Sequence, residues 1–192
     1  MSTSTTTTNN PLVKLIGLLT IIAAVIMVVA GGVTWGFVTS SLKAENITVA
    51  AVTEDAPGSL AGKQVAGPFT AYAQANAINH HALAASNNRT YAQLGDDAKA
   101  LKAKLAADGM SDADIATDKS VIALATARTT TMNGSFLRAS LFTSVVSYGV
   151  AALVIGLGIL FGLLGFALRA ISTTTTVVTE APVTSKSVPA QA

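Results

Sequence analysis

Two long, predominantly apolar stretches without a charged residue decide the fold of this chain. Residues 15–33 read LIGLLTIIAAVIMVVAGGV, and residues 144–168 read SVVSYGVAALVIGLGILFGLLGFAL. Each lies inside a longer run without a charged side chain, the first spanning positions 15–42 and the second positions 139–168. As α-helices these runs measure roughly 42 to 45 Å, which exceeds the hydrocarbon core of a bilayer at about 30 Å. We therefore predict two transmembrane helices, because a helix bonds its own backbone groups where lipid offers no partner.

The composition of the whole chain agrees with a membrane protein. Of its 192 residues, 51% are hydrophobic and 11% are charged, and the mean hydropathy is +0.54. A disordered chain is less hydrophobic, and a soluble protein carries about 25% charged residues. The lack of cysteine in the sequence excludes disulfide bonds, thiolate metal sites and cysteine nucleophiles.

The first apolar stretch has a rival interpretation as a cleaved signal peptide. Lys14 precedes it and the small residues Ala30, Gly31 and Gly32 lie near its end, in the order typical of such a peptide. The stretch at 15–33 is longer than the usual apolar region of about 7 to 15 residues, so we expect the segment to be retained. Burial of both stretches in a soluble core would need more surrounding chain than this sequence provides.

These runs divide the chain into five parts and predict an all-α membrane protein. Two transmembrane helices flank a small extracytoplasmic helical domain. The Thr-rich tails are expected to be disordered, because they offer little apolar surface to bury. The predicted parts are a tail at 1–11, a transmembrane helix at 12–40, the helical domain at 41–137, a second transmembrane helix at 138–169, and a tail at 170–192.

The charges beside the two stretches give little information about orientation. Lys14 and Arg169 flank one side and Lys43 and Arg138 the other, but a long loop crosses the membrane largely regardless of charge. We therefore expect a multi-pass protein of the plasma membrane, with both termini cytoplasmic and the central domain extracytoplasmic. The segment from Lys43 to Arg138 carries nine basic and nine acidic residues, so no basic surface for nucleic acid is predicted.

The central segment is predicted to form short helices separated by polar breaks. Asn46–Thr53 alternates in hydropathy and reads as a short strand or an extended connector. Pro68 opens a first helix that Asn87-Asn88 ends, and Thr90 caps a second helix that stops at Gly109.

A third helix of the central segment is predicted to start from a Ser111 cap. It runs toward the second apolar stretch, with a joint at Asn133-Gly134. The core of these helices is mostly alanine and leucine, which bury little apolar area. We therefore expect the domain to dock on the membrane helices, on another copy or on a different subunit.

Small residues recur along one face of each apolar stretch. They let helix backbones approach closely, so the two faces are expected to pack within one chain or against neighbouring chains. Neither stretch contains an acidic, basic or histidine side chain within its uncharged run, which disfavours a proton relay, an ion pathway or a transporter. The predicted helix-packing residues are Gly17, Ala24 and Gly31 in the first stretch and Ala151, Gly158, Gly162 and Gly165 in the second.

Few residues of the chain suggest catalysis or metal binding. The two histidines, His80 and His81, are adjacent and so point about 100° apart on a helix, which favours a surface role over a shared metal. Asp96-Asp97 and the acidic residues that follow are interleaved with lysines, as on a solvated helix face. We predict no catalytic residue, no metal site and no cofactor.

One family resemblance is carried by residues between the apolar stretches. The chain resembles a group of actinobacterial two-span membrane proteins over roughly residues 10–170, in Ile47-Thr-Val, Gly62-Lys-Gln-Val-Ala-Gly-Pro-Phe-Thr-Ala-Tyr-Ala-Gln-Ala, Ile78, His81 and Thr90-Tyr-Ala-Gln-Leu. Members of this group are often labelled aromatic ring-opening dioxygenases. That chemistry needs iron held by converging histidines and a carboxylate, which two adjacent histidines do not provide. The group has no established function, and the resemblance is compatible with an accessory protein of a larger envelope or respiratory assembly.

The expected function follows from these features. We predict a non-catalytic integral membrane protein, an accessory or structural subunit that acts through helix packing and contacts of its extracytoplasmic domain. Its expected partners are the lipid bilayer and other membrane subunits or itself. The alternative is an envelope sensor or signal relay with a phosphorylatable Thr-rich cytoplasmic tail. An enzyme is disfavoured because the sequence contains no recognisable set of catalytic groups.

Overall fold

A computed structural model describes the backbone of residues 3–179 and the side chains of residues 10–172. The chain divides into two compact units, one built from its two ends, up to Ala30 and from Leu153, and one formed by Gly31–Ala152. The elements in chain order are β1 (Thr3–Asn9), α1 (Pro11–Ala44), α2 (Pro68–Ala85), α3 (Tyr91–Ala107), α4 (Asp112–Thr117), α5 (Lys119–Ile171) and β2 (Thr173–Thr179).

Helices α1 and α5 are long enough and apolar enough to cross a membrane. They contain 34 and 53 residues, and each contains one of the two apolar stretches. In the most apolar windows of the two helices only 11% and 17% of the residues are buried, whereas the core helix of a soluble protein is mostly buried. The prediction of a mainly helical chain with two long apolar helices is therefore confirmed. Both helices extend beyond the predicted bounds of 12–40 and 138–169.

The tails differ from the predicted disorder where they join the first unit. Strands β1 and β2 pair antiparallel, with a register that runs from Thr3 opposite Thr179 to Asn9 opposite Thr173. The backbone N–H of Asn10 also donates to the carbonyl of Ser172, at 3.0 Å. Threonine and valine are branched at Cβ and favour extended backbone, which the disorder prediction underweighted. Residues 1–2 and 180–192 of the predicted tails lie outside the described part of the chain.

The second unit has a small apolar core around the segment at 45–67 between α1 and α2, which we call the connector. Val49 N–H donates to Lys63 O and Val65 N–H to Ile47 O, both at 2.8 Å, around one antiparallel bridge. The segment predicted as a short strand or a connector is thus extended, with a single bridge. The buried core residues come from α1, the connector, α2 and α5: Leu42, Val49, Val65, Ala71, Ala75, Leu141 and Tyr148.

The helix ends of the second unit largely follow the predicted signals. Helix α2 begins at Pro68, and the residues that follow its end, Asn87 and Asn88, have positive φ angles. The Thr90 side chain accepts the backbone N–H of the third residue of α3, and Gly109 just after that helix has a φ of +87°. The predicted start and end of α2 and the predicted cap and end of α3 are therefore confirmed.

The predicted third helix is two helices, and its predicted joint is wrong. Ser111 caps α4, but the carboxylate of Asp118 accepts the N–H groups of Ser120 and Val121, at 2.8 and 3.2 Å, and so starts α5 separately. Helix α5 then continues through Gly134 without a break. A Cβ atom added there would lie 2.9 Å from the Cβ of Ala82, so this glycine permits α2 to approach α5 closely.

Tyr148 joins three segments of the second unit. Its side chain is 1% exposed, and its hydroxyl lies 2.8 Å from Thr39 Oγ1 on α1. The same hydroxyl donates to the carbonyl of Ala66 in the connector, at 3.4 Å. The ring packs edge-to-face against Trp35, with centroids 4.7 Å apart. One α5 side chain therefore holds both α1 and the connector.

Replacing Tyr148 with phenylalanine tests this junction. Tyr148→Phe keeps the ring but leaves Thr39 and the Ala66 carbonyl without the hydroxyl. The free energy of unfolding should therefore fall by about 1 kcal/mol, measured by circular dichroism in detergent with increasing SDS. Tyr72→Phe is the control, because the Tyr72 side chain is 53% exposed, and it should leave that energy unchanged. Equal effects of the two substitutions would contradict this role of Tyr148.

Candidate functional site

The backbones of α1 and α5 touch at two glycines in the first unit. A Cβ atom added at Gly17 would lie 2.9 Å from the carbonyl oxygen of Gly165. One added at Gly165 would lie 2.8 Å from the carbonyl oxygen of Gly17 and 2.7 Å from Cγ1 of Ile21. Real Cβ atoms almost never approach that closely, so any larger residue at either position would push the helices apart.

A second contact of the same kind lies one heptad further along each helix. A Cβ atom added at Gly158 would lie 3.0 Å from the carbonyl oxygen of Ala24, and one added at Gly162 would lie 3.6 Å from the Ala24 Cβ. Position 17 thus faces 165 while position 24 faces 158 and 162, which makes the pairing antiparallel.

The structure therefore brings together five of the seven predicted helix-packing residues. Gly17, Ala24, Gly158, Gly162 and Gly165 form one continuous contact, which we call the glycine seam. The other two, Gly31 and Ala151, belong to the second unit, where both are buried.

Away from the glycine seam, most large apolar side chains of the first unit are exposed. So many large apolar groups would be costly to leave facing water. They include Leu15, Leu19, Ile22, Val25, Ile26 and Val29 on α1 and Leu153, Ile159, Leu160, Leu163 and Phe166 on α5.

The second unit exposes two aromatic side chains where α2 begins. Phe69 is 79% exposed, and Tyr72 lies one turn further along the helix, with its ring 5.9 Å from that of Phe142. A cleft of about 330 Å³ separates them from the connector and is lined by residues that include Pro57 and Leu60. We call Phe69, Tyr72 and this cleft the Phe69 surface. Neither aromatic residue was singled out as a contact residue from the sequence.

A larger groove of the second unit lies between α1, α2 and α5. Its volume is about 640 Å³, and its walls are mainly apolar, with serine and threonine hydroxyls along α5. Glu45 is the one charged side chain of this lining, in the part of the chain that the structure describes.

The two histidines are neighbours on α2, but in the part of the chain that the structure describes only the His81 ring has a hydrogen-bond partner, a backbone carbonyl. Their rings meet edge-to-face with centroids 5.8 Å apart, and His81 Nε2 lies 2.8 Å from the carbonyl of Ala51. A carbonyl only accepts, so Nε2 of His81 carries the proton and donates it. Histidine and acidic side chains form no cluster of three suited to a metal ion within the described residues.

Three acidic residues of α3 and α4 make local contacts. Asp97 pairs with both the Nε and Nη2 groups of Arg89, a bidentate ion pair that links the second turn of α3 to the residue before its N-cap. Asp114 accepts a hydrogen bond from the Ser111 hydroxyl at 2.6 Å. Asp96 lies 3.9 Å from Lys99 on the exposed side of α3. These contacts suit a solvated helical surface.

Comparison with known proteins identifies no relative: no family model matches the chain, and neither curated proteins nor solved structures give a match. The fold and the surfaces described above are therefore the basis for a functional proposal.

Enlarging one glycine of the seam tests its packing. Gly158→Leu places a side chain where Val28 Cγ2 lies 2.8 Å from the added Cβ, so the helices must separate. We expect the free energy of unfolding in detergent to fall by about 1 to 3 kcal/mol. Gly156→Leu is the matched control on the same helix, since nothing described lies within 4 Å of a Cβ there. A loss at Gly156 as large as that at Gly158 would contradict the seam.

Proposed function

We propose that this chain is a non-catalytic integral membrane protein that serves as an accessory or structural subunit. In this proposal α1 and α5 cross the plasma membrane, with both termini cytoplasmic and α2 to α4 on the outer side. The uncharged runs at 15–42 and 139–168 and the antiparallel order of the glycine seam support two crossings joined on one side. The first apolar stretch is retained as a membrane anchor.

The exposed Phe69 surface is the observation that carries the subunit role. Aromatic residues are enriched at protein interfaces, where a few such side chains supply most of the binding energy. Phe69 offers nearly its whole ring beside a cleft that can receive a partner side chain. The glycine seam is already occupied within the chain, so contacts with other subunits fall to surfaces such as this one.

The proposed partners of the protein follow from two surfaces, the exposed apolar faces of α1 and α5 and the Phe69 surface. The exposed apolar faces of α1 and α5 contact lipid, and the Phe69 surface contacts another membrane subunit or a second copy of the chain. The packing function of the seam is to hold the two crossings together so that the domain between them is presented as a unit.

Removing the two aromatic anchors tests this role. The intact protein, extracted gently in mild detergent and analysed by native mass spectrometry, should appear in a complex heavier than the 19.4 kDa chain. Phe69→Ser combined with Tyr72→Ser should release the single chain. Loss of a buried aromatic anchor costs about 2 kcal/mol or more, or roughly 30-fold in affinity for each.

The matched control is Lys99→Ser combined with Lys102→Ser. Both lysines are exposed on α3, and neither belongs to the Phe69 surface. This variant should keep the heavier complex. A wild-type protein that is a single chain under these conditions, or a complex that survives the aromatic substitutions, would refute the proposal.

A further inference from the structure

A separate cleft in the second unit lies between α2, the start of α3 and α5. Its volume is about 350 Å³, within the range of small-molecule sites. Its walls combine apolar and polar groups: Asn79, Leu83, Thr90, Tyr91, Ser135 and Arg138 are among the lining residues. None of these residues was assigned a ligand from the sequence.

Arg138 is the charged group of this cleft and is only partly paired. One guanidinium nitrogen, Nη1, donates to Asn79 Oδ1 at 3.1 Å, and the guanidinium carbon lies 5.1 Å from the centre of the Phe142 ring. The Nε atom is buried and meets no acceptor among the described residues. A buried donor of a charged group is costly to leave unpaired, since hydrogen bonds to charged groups are among the strongest in proteins. A further hydrogen-bond acceptor, preferably a negatively charged group of a ligand, would therefore stabilise this guanidinium.

Asn79 adds a second donor next to Arg138. Because its Oδ1 accepts from Arg138, its amide nitrogen Nδ2 is the group left to donate. The planar fork of an arginine with an amide beside it matches the two or three oxygens of a carboxylate or phosphate.

The surrounding charges favour an anion. The lining contains no acidic side chain in the described part of the chain. Asp97, an acidic residue of the adjoining helix α3, is paired with Arg89. A second cation, Arg128, stacks over the ring of Tyr91 at 4.1 Å, and Tyr91 itself lines the cleft.

Two hydroxyl residues of α5, Thr131 and Ser135, also line the cleft and can accept hydrogen bonds. Ser135 donates to the carbonyl of Thr131 at 3.0 Å, and Thr131 donates to that of Ala127 at 2.9 Å. Their oxygens can therefore accept from a hydroxyl or amine of a ligand, but their protons are already used.

We propose that this cleft binds an oxyanion, a phosphate or carboxylate group held by the Arg138 guanidinium and the Asn79 amide. The group belongs either to a small soluble metabolite or to the head of an anionic phospholipid, since Arg138 is the last charged residue before the uncharged run of 139–168. The site goes beyond the subunit role and does not depend on a partner chain.

The side-chain Nε–H signal of Arg138 provides a direct test. The full chain has four arginines, so ¹⁵N-arginine labelling gives four Nε–H signals in an NMR spectrum, and the one lost in Arg138→Lys belongs to Arg138. The protein is placed as single chains in phosphatidylcholine nanodiscs and titrated with inorganic phosphate. A parallel sample in nanodiscs with added phosphatidylglycerol receives no phosphate.

A saturable shift of the Arg138 signal with inorganic phosphate supports the site with a soluble ligand. A shift caused by phosphatidylglycerol alone supports it with a lipid head group. Asn79→Ala should weaken the effective probe about tenfold or more, because a hydrogen bond to a charged group is lost.

Asn133→Ala is the matched control, an exposed asparagine of α5 that lines neither this cleft nor the cleft of the Phe69 surface. It should titrate like the wild-type chain. The proposal fails if neither probe moves the Arg138 signal, or if Asn79→Ala and Asn133→Ala behave alike. Because single chains are measured, these results are independent of whether the Phe69 surface binds a partner.

Discussion

The close approach of two helix backbones at the glycine seam holds α1 and α5 together in the first unit. Lipid is as apolar as leucine, so two helices in a bilayer gain little from hiding apolar side chains from water. What can hold them together is dense van der Waals contact, which requires the backbones to come close. Gly17 and Gly165 allow each backbone to lie against the carbonyl of the other. Ala24, Gly158 and Gly162 continue this contact and fix its antiparallel order.

In the second unit, Tyr148 holds α1 and the connector to α5 through hydrogen bonds and ring packing. The alanine-rich helices there bury little apolar area, so one large buried ring with a hydrogen-bonding end contributes more than its share. Its hydroxyl is satisfied by Thr39 and by the connector carbonyl of Ala66. A few specific contacts thus hold this unit together, while Phe69 and the cleft at Arg138 remain open at its surface.

Local features of this fold could be predicted from the sequence. The uncharged runs at 15–42 and 139–168 predicted the two long apolar helices, and Pro68, Thr90 and Ser111 marked helix starts through their local backbone chemistry. Gly134 shows where such reasoning fails. A glycine serves equally as a break or as a place of close approach, and only the position of Ala82 on another helix decides between them.

The features that sequence reasoning missed depend on partners distant along the chain or on weak local signals. Tyr148 meets Ala66 across 82 positions, and Arg138 meets Asn79 across 59, distances at which no local pattern exists. A polar aromatic residue within an apolar run was the available clue to Tyr148. Asp118 is a recognisable N-cap residue, but the apolar pattern on both sides of it suggested one continuous helix. The strands β1 and β2 were missed because their Thr-rich composition is typical of disorder.

A disulfide between α1 and α5, formed in native membranes, would verify the antiparallel glycine seam. The chain contains no cysteine, so Ala24→Cys combined with Gly162→Cys introduces the only two thiols. The Cβ positions lie 3.6 Å apart, close to the mean of about 3.8 Å in disulfides. Mild oxidation should therefore link the two positions within one chain, whereas Ala24→Cys with Gly156→Cys should not react. A pair at 24 and 162 that stays reduced, or that links only separate chains, would contradict the antiparallel seam.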